Sequence, residues 1–321
     1  MNLTMKLSAP LLLLLILPVL PLATLAADSA EAAVDDSKGL FGLGWLDQTR
    51  AYSTSKADAL ALQLDRYFGV ERSDLEAPYS SLRLTTELDY KQGDGVDPHV
   101  RLRGTLHLPR VDERVRLIFS EDQGEGASYY KQNELLNPQQ STRVNVELKL
   151  KETDHHRSDF RVGLRSSLKL RASVRYRYEN EISESLQHRF SQTVYFIDGT
   201  GYGAFSQYQL DKALDDSTLL RWSNELRAEE NLNGREWATS LTHATRFSNA
   251  SAVSYFARMG GTTAQDYVGV YQVGIRMRRN IARPWLFVEF SPGYSWEKAD
   301  ATSPRKGGVF ASIRLEMAIG I

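Results

Sequence analysis

From Leu82 onward, apolar and polar side chains alternate one by one. Between Pro98 and Leu108, Val100, Leu102, Leu106 and Leu108 share one parity, and His99, Arg101, Arg103, Thr105 and His107 share the other. Val115, Leu117 and Phe119 alternate with Arg114 and Arg116, and Val144, Val146, Leu148 and Leu150 alternate with Asn145, Glu147, Lys149 and Lys151. The same period sets Tyr271, Val273, Ile275 and Met277 against Gln272, Arg276 and Arg278. It closes the chain with Val309, Ala311, Ile313, Leu315, Met317, Ile319 and Ile321 against Ser312, Arg314 and Glu316. Successive side chains of a strand point to opposite faces, so this pattern predicts strands with one apolar and one wet face.

Turn residues divide the run into strands near 81–91, 98–108, 113–121, 143–151, 158–165, 169–179, 186–197, 202–211, 218–229, 236–247, 252–260, 267–278, 285–296 and 308–320. The expectation is about fourteen strands, with twelve as the alternative, joined by short turns that alternate with longer loops such as 122–142 and 297–307. From Phe160 to Tyr178 one parity persists for 19 residues, about 60 Å if fully extended. That exceeds a membrane, so either one strand overhangs or a hairpin bends near Ser166-Ser167, and such a hairpin needs a loop of odd length. The Gly199-Thr200-Gly201 run lacks the strand-to-helix context of a nucleotide loop and reads as a hairpin turn.

Pattern length separates a soluble sandwich from a membrane barrel. Segments of about 10 to 14 residues exceed the usual globular strand of about 5 or 6 and suit a tilted spanning strand of about 9 to 11. Tyr90, Tyr176, Tyr178, Trp222, Trp237, Tyr255, Tyr267, Tyr294 and Trp296 stand near the ends of apolar faces, as aromatic girdles do. Ahead of the strands, Lys6, the apolar run Leu11 to Leu20 and the small residues before Ala27-Asp28 form a secretory signal peptide over 1–26. Residues 27–79 follow as an Ala/Asp/Ser-rich tail and an amphipathic helix. Ala57, Leu60, Ala61, Leu64, Tyr67 and Phe68 recur at helical spacing, with Ser53 to Ser55 as candidate N-caps. This helix either covers or enters the rest of the chain or docks a partner.

Taken together, these features resemble the outer-membrane β-barrel proteins of Gram-negative bacteria. The resemblance covers about three-quarters of the chain, 80–321, and is to a class rather than to one family. It implies an all-β, closed antiparallel transmembrane barrel with a short N-terminal periplasmic helix. It also implies dealings with outer-membrane lipid, lipopolysaccharide and the outer-membrane insertion machinery. Many barrels of this class end in an aromatic residue, whereas Ile321 keeps the parity without the ring.

Composition narrows the chemistry. With 39 Lys and Arg against 40 Asp and Glu, the 321-residue chain lacks the basic excess of a nucleic-acid binder. The absence of cysteine excludes disulfide scaffolds, thiolate metal sites and a Cys nucleophile. No cofactor or metal site is expected. His155-His156 beside Asp154 and Asp159 is a poor ligand set, because adjacent side chains on a strand point apart.

If the apolar parity faces lipid, the lumen carries a long series of cations from Arg83 to Arg314. Its acids are Glu87, Asp89, Glu147, Glu179, Glu225, Glu229, Glu289 and Glu316, about half as many as the cations. Arg101, Arg103, Arg114 and Arg116 on neighbouring strands and Arg171, Arg175 and Arg177 along one strand form the candidate anion-binding wall. The competing expectation is that Arg and Glu pair across strands as structural ladders that fill the lumen. Three functions stay open on this reading. One is a channel or binding site for small anionic solutes. The second is a lipid- or lipopolysaccharide-modifying barrel with His243 or His188 as base. The third is a structural or assembly protein that uses the N-terminal helix.

Overall fold

A computed structural model describes residues 56–68, 81–107, 115–121, 142–153, 155–165, 169–283 and 285–320. The segment read as a signal peptide, the candidate caps Ser53 to Ser55, Arg114, the 122–141 connection and Ile321 lie outside the described residues. Everything described belongs to one compact unit, Leu43–Ile321.

Among the described residues one helix, α1 (Lys56–Tyr67), precedes fourteen strands. The first seven are β1 (Ser81–Lys91), β2 (Gly95–His107), β3 (Val115–Glu121), β4 (Thr142–Glu152), β5 (His156–Arg165), β6 (Leu170–Ser183) and β7 (Leu186–Ile197). The second seven are β8 (Gly201–Ala213), β9 (Thr218–Glu229), β10 (Glu236–Ser248), β11 (Ser251–Thr262), β12 (Val270–Asn280), β13 (Leu286–Glu297) and β14 (Lys306–Gly320). Each strand pairs antiparallel with its chain neighbours. β1 also pairs with β14, from Ser81 opposite Gly320 to Lys91 opposite Phe310, and the sheet closes into a barrel. Closure through β1 and β14 joins the two ends of the sheet, and among the described residues the shortest seam is β2–β3, paired from Gly104 opposite Phe119 to His107 opposite Arg116.

The number of strands is even, which brings Ser81 and Gly320 to the same end, called here the terminal end. Connections at that end include 184–185, 214–217 and 249–250, whereas the far end carries 230–235, 263–269 and 298–305. Two far-end turns, 92–94 and 198–200, are tight. In the second, Thr200 donates to the Ile197 carbonyl and Gly199 takes a φ of 77°, a left-handed conformation that a side chain disfavours. The long single-parity stretch resolves into a hairpin. Leu164 faces Leu170, and the odd number of residues between them keeps both on the outer face.

Burial is inverted relative to a water-soluble protein. The side chains of Val100, Leu102, Val174, Leu241 and Ile313 are about half exposed on the outside, while Arg116, Glu147, Asp159, Arg278 and Glu289 are buried. In water, leaving that apolar area exposed would cost about 25 cal/mol per Å². Against lipid the same surface is the favourable one, and the barrel is of the outer-membrane type.

Aromatic rings mark both rims of the apolar band. On the outer face from β5 to β9, rings of His156, Tyr178, His188, Tyr208 and Trp222 follow one another at 5.0 to 6.3 Å between centroids. Towards the far end, Phe196 meets Tyr202 and Tyr294 meets Trp296. Cross-strand glycines receive rings in several places. Phe119 lies over Gly104, Tyr195 over Gly203, Phe256 over Gly274 and Phe310 over Gly293, each pair directly in register. Such ring-over-glycine pairs pin strand register and leave room for local curvature.

Helix α1 lies inside the barrel at the terminal end. Its apolar side, Leu60, Ala61, Leu64 and Phe68, packs with Leu219, Ala244 and Ala252, all of inward parity. The Ala57 amide donates to the Glu184 carbonyl in one turn, and the Tyr67 hydroxyl donates to the Arg278 carbonyl on β12. Twelve residues at about 1.5 Å each make a rod of about 18 Å laid along the mouth.

Candidate functional site

Parity and register together build the lumen wall. Across β1, β14, β13 and β12 the residues Glu87, Arg314, Glu289 and Arg278 stand directly opposite one another, a row of alternating sign. Glu87 accepts from Arg314 at 2.7 Å and also pairs with Arg101 of β2. Glu289 receives Arg314 at 3.2 Å, Arg276 at 3.4 Å and Arg278 at 3.4 Å. One turn of the pleat lower, Glu316 binds Arg83 and Arg278, each at 2.5 Å. Opposite charges in register stabilise a sheet, and here they tie together the strands that close the barrel.

A second row crosses β3, β4 and β5. Glu147 stands in register between Arg116 and Arg161, 3.7 Å from the first and 2.6 Å from the second, with no exposure of its own. Beside it, Asp159 accepts from Arg157 at 3.2 Å. A third group occupies β6 to β10 and the helix. Arg221 binds Asp211 at 2.7 Å and Asp65 of α1 at 2.5 Å. Arg189 reaches Glu179 at 2.8 Å, Asp58 of α1 at 3.7 Å and Asp211 at 3.8 Å. Nearer the far end, Arg227 binds Glu229 and lies 3.5 Å from Glu236, and Tyr195 donates to Glu229 at 2.6 Å.

The candidate anion-binding residues fall into this wall as follows. Arg101 is held by Glu87, and Arg116 faces Glu147. Arg103 faces the lumen directly across from Arg83, a like-charge pair in register. Arg171 is buried with its guanidinium 4.8 Å from the centre of the Tyr195 ring. Arg175 donates from Nε to the Thr193 hydroxyl at 3.2 Å. Arg177 is buried and stands in register opposite Arg157. Arg114 lies outside the described residues. The barrel therefore brings Arg171, Arg175 and Arg177 onto one inward stripe of β6, close to the β5 cations, while Arg101 and Arg103, both on β2, sit four strands away.

The lumen holds more acid than the sequence pattern suggested. Asp159 and Asp211 face inward and are buried, and Asp58 and Asp65 enter from the helix. The first two were readable from parity, since Asp159 is two residues from Arg161 and Asp211 two from Gln209. The helix acids carry no such signal. Acid is nonetheless distributed unevenly. Among the described residues of β2 to β7, inward Arg101, Arg103, Arg116, Arg157, Arg161, Arg171, Arg175, Arg177 and Arg189 outnumber Asp97, Glu147, Asp159, Glu179 and Glu181. From β8 round to β1 the two signs are nearly balanced.

The histidines weighed as bases belong to the outer belt. His243 points outward with its ring 6.3 Å from that of Tyr255, and His188 lies between Tyr178 and Tyr208. His156 bonds the Tyr176 hydroxyl at 2.7 Å, and His155 bonds the Glu179 carbonyl at 3.1 Å. Each imidazole is thus built into an aromatic rim or a turn.

No protein-family model matches the chain. No curated protein sequence matches it either. Several solved structures are similar to the chain in part. CdiB from Acinetobacter baumannii has 10% identity and a TM-score of 0.48, with 75% of this chain and 60% of that one covered. OprB from Pseudomonas putida has 11% identity and a TM-score of 0.46, covering 78% of this chain and 96% of that one. An anion-selective porin from Comamonas acidovorans has 8% identity and a TM-score of 0.45, covering 75% and 98% respectively.

Proposed function

We propose that the chain is exported on residues 1–26, is seated in the outer membrane of a Gram-negative bacterium with its terminal end in the periplasm, and passes or binds small anionic solutes. The wall proposed to do so comprises Arg101, Arg103, Arg114, Arg116, Arg171, Arg175 and Arg177. The single supporting observation is the charge asymmetry of the lumen, where cations exceed acids on the β2 to β7 arc. Guanidinium groups do not deprotonate at physiological pH. A narrow, low-dielectric passage focuses their field, raising local anion concentration and excluding cations.

A second reading rests on a separate observation. The rows through Glu289 and Glu147 are nearly saturated with ion pairs. Such rows suit a structural wall as well as a conducting one.

Reversal potentials across a salt gradient in planar bilayers separate the two. The expected result is anion preference that weakens as salt rises, because screening shortens to about 10 Å at 0.1 M. Replacing Arg101, Arg103, Arg175 and Arg177 together by Gln shifts the reversal potential towards cations. Selectivity that the four substitutions leave unchanged overturns the anion reading and leaves the structural one.

A further inference from the structure

Two inward guanidiniums at the terminal end are occupied by carboxylates that come from outside the barrel wall. Arg221 receives Asp65 of α1 through both nitrogens, Nη1 at 2.5 Å and Nη2 at 3.1 Å, in addition to Asp211 of β8. Arg189 lies 3.7 Å from Asp58 of α1, and its neighbour Gln187 donates to the same carboxylate at 2.9 Å. Asp58 and Asp65 are seven residues apart, two helical turns, so both fall on the side of α1 that meets β7 to β9.

The bidentate fork of Arg221 is the geometry with which arginine recognises any carboxylate. The wall itself supplies Asp211 between Arg189 and Arg221. Asp211 thus serves both guanidiniums, Glu179 of β6 also holds Arg189 at 2.8 Å, and the helix adds a further carboxylate to each.

From this arrangement we infer that Arg189, Arg221 and Gln187 form a carboxylate-binding site at the terminal mouth, and that α1 is its resident occupant. The helix is a plug whose own aspartates stand where a carboxylate-bearing solute binds. A solute with two carboxylates competes with Asp58 and Asp65, loosens the helix and opens the mouth it lies across. The apolar grip of Leu60, Leu64 and Phe68 on Leu219, Ala244 and Ala252 favours the closed state when no solute is present. A ligand shifts such an equilibrium only by its differential affinity for the two states. Competition for the same guanidiniums provides that difference. This inference rests on the anion-channel reading for its ligand class, whereas the plug itself does not.

The test uses the whole chain, which contains no cysteine, in planar bilayers. Ala57→Cys with Glu184→Cys places a thiol pair at the two residues that the Ala57 amide to Glu184 carbonyl hydrogen bond of 3.1 Å holds together, and formation of the disulfide is verified by a thiol assay before and after reduction. Oxidation is expected to hold the conductance at its closed level and reduction to release it. In the Asp58→Asn, Asp65→Asn variant the open fraction rises about tenfold, the equivalent of about 1.4 kcal/mol. Glutarate added to the wild type at constant ionic strength raises the open fraction as well. It has no further effect in the double Asn variant, and its effect is lost in Arg221→Gln.

A conductance indifferent to oxidation, and equal in wild type and the double Asn variant, overturns the plug. Redox switching with a cation-selective current keeps the plug and overturns the anion reading. Steady anion-selective current that ignores the lock does the reverse. Redox switching without a glutarate response overturns the carboxylate site.

Discussion

Replacing Glu316 by Gln removes one negative charge from the row that closes the barrel and changes almost nothing else. The carboxylate is 3% exposed and accepts from Arg83 Nη1 at 2.5 Å and from Arg278 at 2.5 and 3.2 Å. Gln keeps the volume and one acceptor, so no cavity forms. What is lost is the charge assistance on two guanidiniums. Hydrogen bonds to charged groups contribute about 1.5–3 kcal/mol each, against about 0.5–1.5 for neutral ones. The difference over two guanidiniums is about 2–3 kcal/mol. Arg278 is also buried and, among the described residues, keeps Glu289 at 3.4 Å as its remaining carboxylate. The expected loss is therefore about 3 kcal/mol, below the ceiling of about 5 kcal/mol for breaking a fully buried pair. Urea titration of the protein folded in lipid vesicles measures it, followed by fluorescence of Trp222, Trp237, Trp285 and Trp296 and by heat-modifiable gel migration. A companion cycle with Arg278→Met and Glu316→Leu, alone and together, is expected to cost less combined than the sum of its parts. A loss under about 1 kcal/mol in Glu316→Gln, or strict additivity in the cycle, refutes the view that this row holds the closing strands.

Three further outcomes follow from the same geometry. Leu102→Arg puts a cation on the lipid face and is expected to cost roughly 2–4 kcal/mol in a folding titration, while Arg103→Leu, one residue away on the lumen face, costs far less; equal costs refute the assigned parity. Gly203→Val drives a side chain into the Tyr195 ring packed over that glycine, and overpacking predicts a loss of about 1–3 kcal/mol, with relief in the Gly203→Val, Tyr195→Ala double variant. A thiol at Asp94 is expected to label from outside intact cells and one at Asn249 only after permeabilisation, because the two turns cap opposite ends of the barrel; the reverse order overturns the orientation.

Local alternation determined most of this molecule. A residue's parity along a strand is a property of the backbone pleat, so Val100 and Leu102 could be assigned to lipid and Arg101 and Arg103 to the lumen before any fold was known. The lengths of the alternating runs separated a membrane barrel from a sandwich. The parity of Leu164 and Leu170 required the odd hairpin loop between β5 and β6. Asp159 and Asp211 carry the same inward parity, although neither stands among the lumen acids expected from the sequence.

Pairing across strands was not legible, because it depends on register, and register is a relation between segments far apart in the chain. That Glu87, Arg314, Glu289 and Arg278 form one row follows from the stagger of β1 against β14, β14 against β13 and β13 against β12. No local pattern encodes that stagger. The same limit explains why a wall that counts as basic in the sequence contains guanidiniums already engaged by carboxylates. The helix shows the limit most clearly. The spacing of Leu60, Ala61, Leu64 and Phe68 predicts an amphipathic helix and equally suits a lid, a plug or a docking element. Only the closed barrel presents Leu219, Ala244 and Ala252 beside Arg189 and Arg221 as one surface. That surface matches both the apolar side and the two aspartates of α1, and long-range complementarity of this kind exists only once the strands have closed.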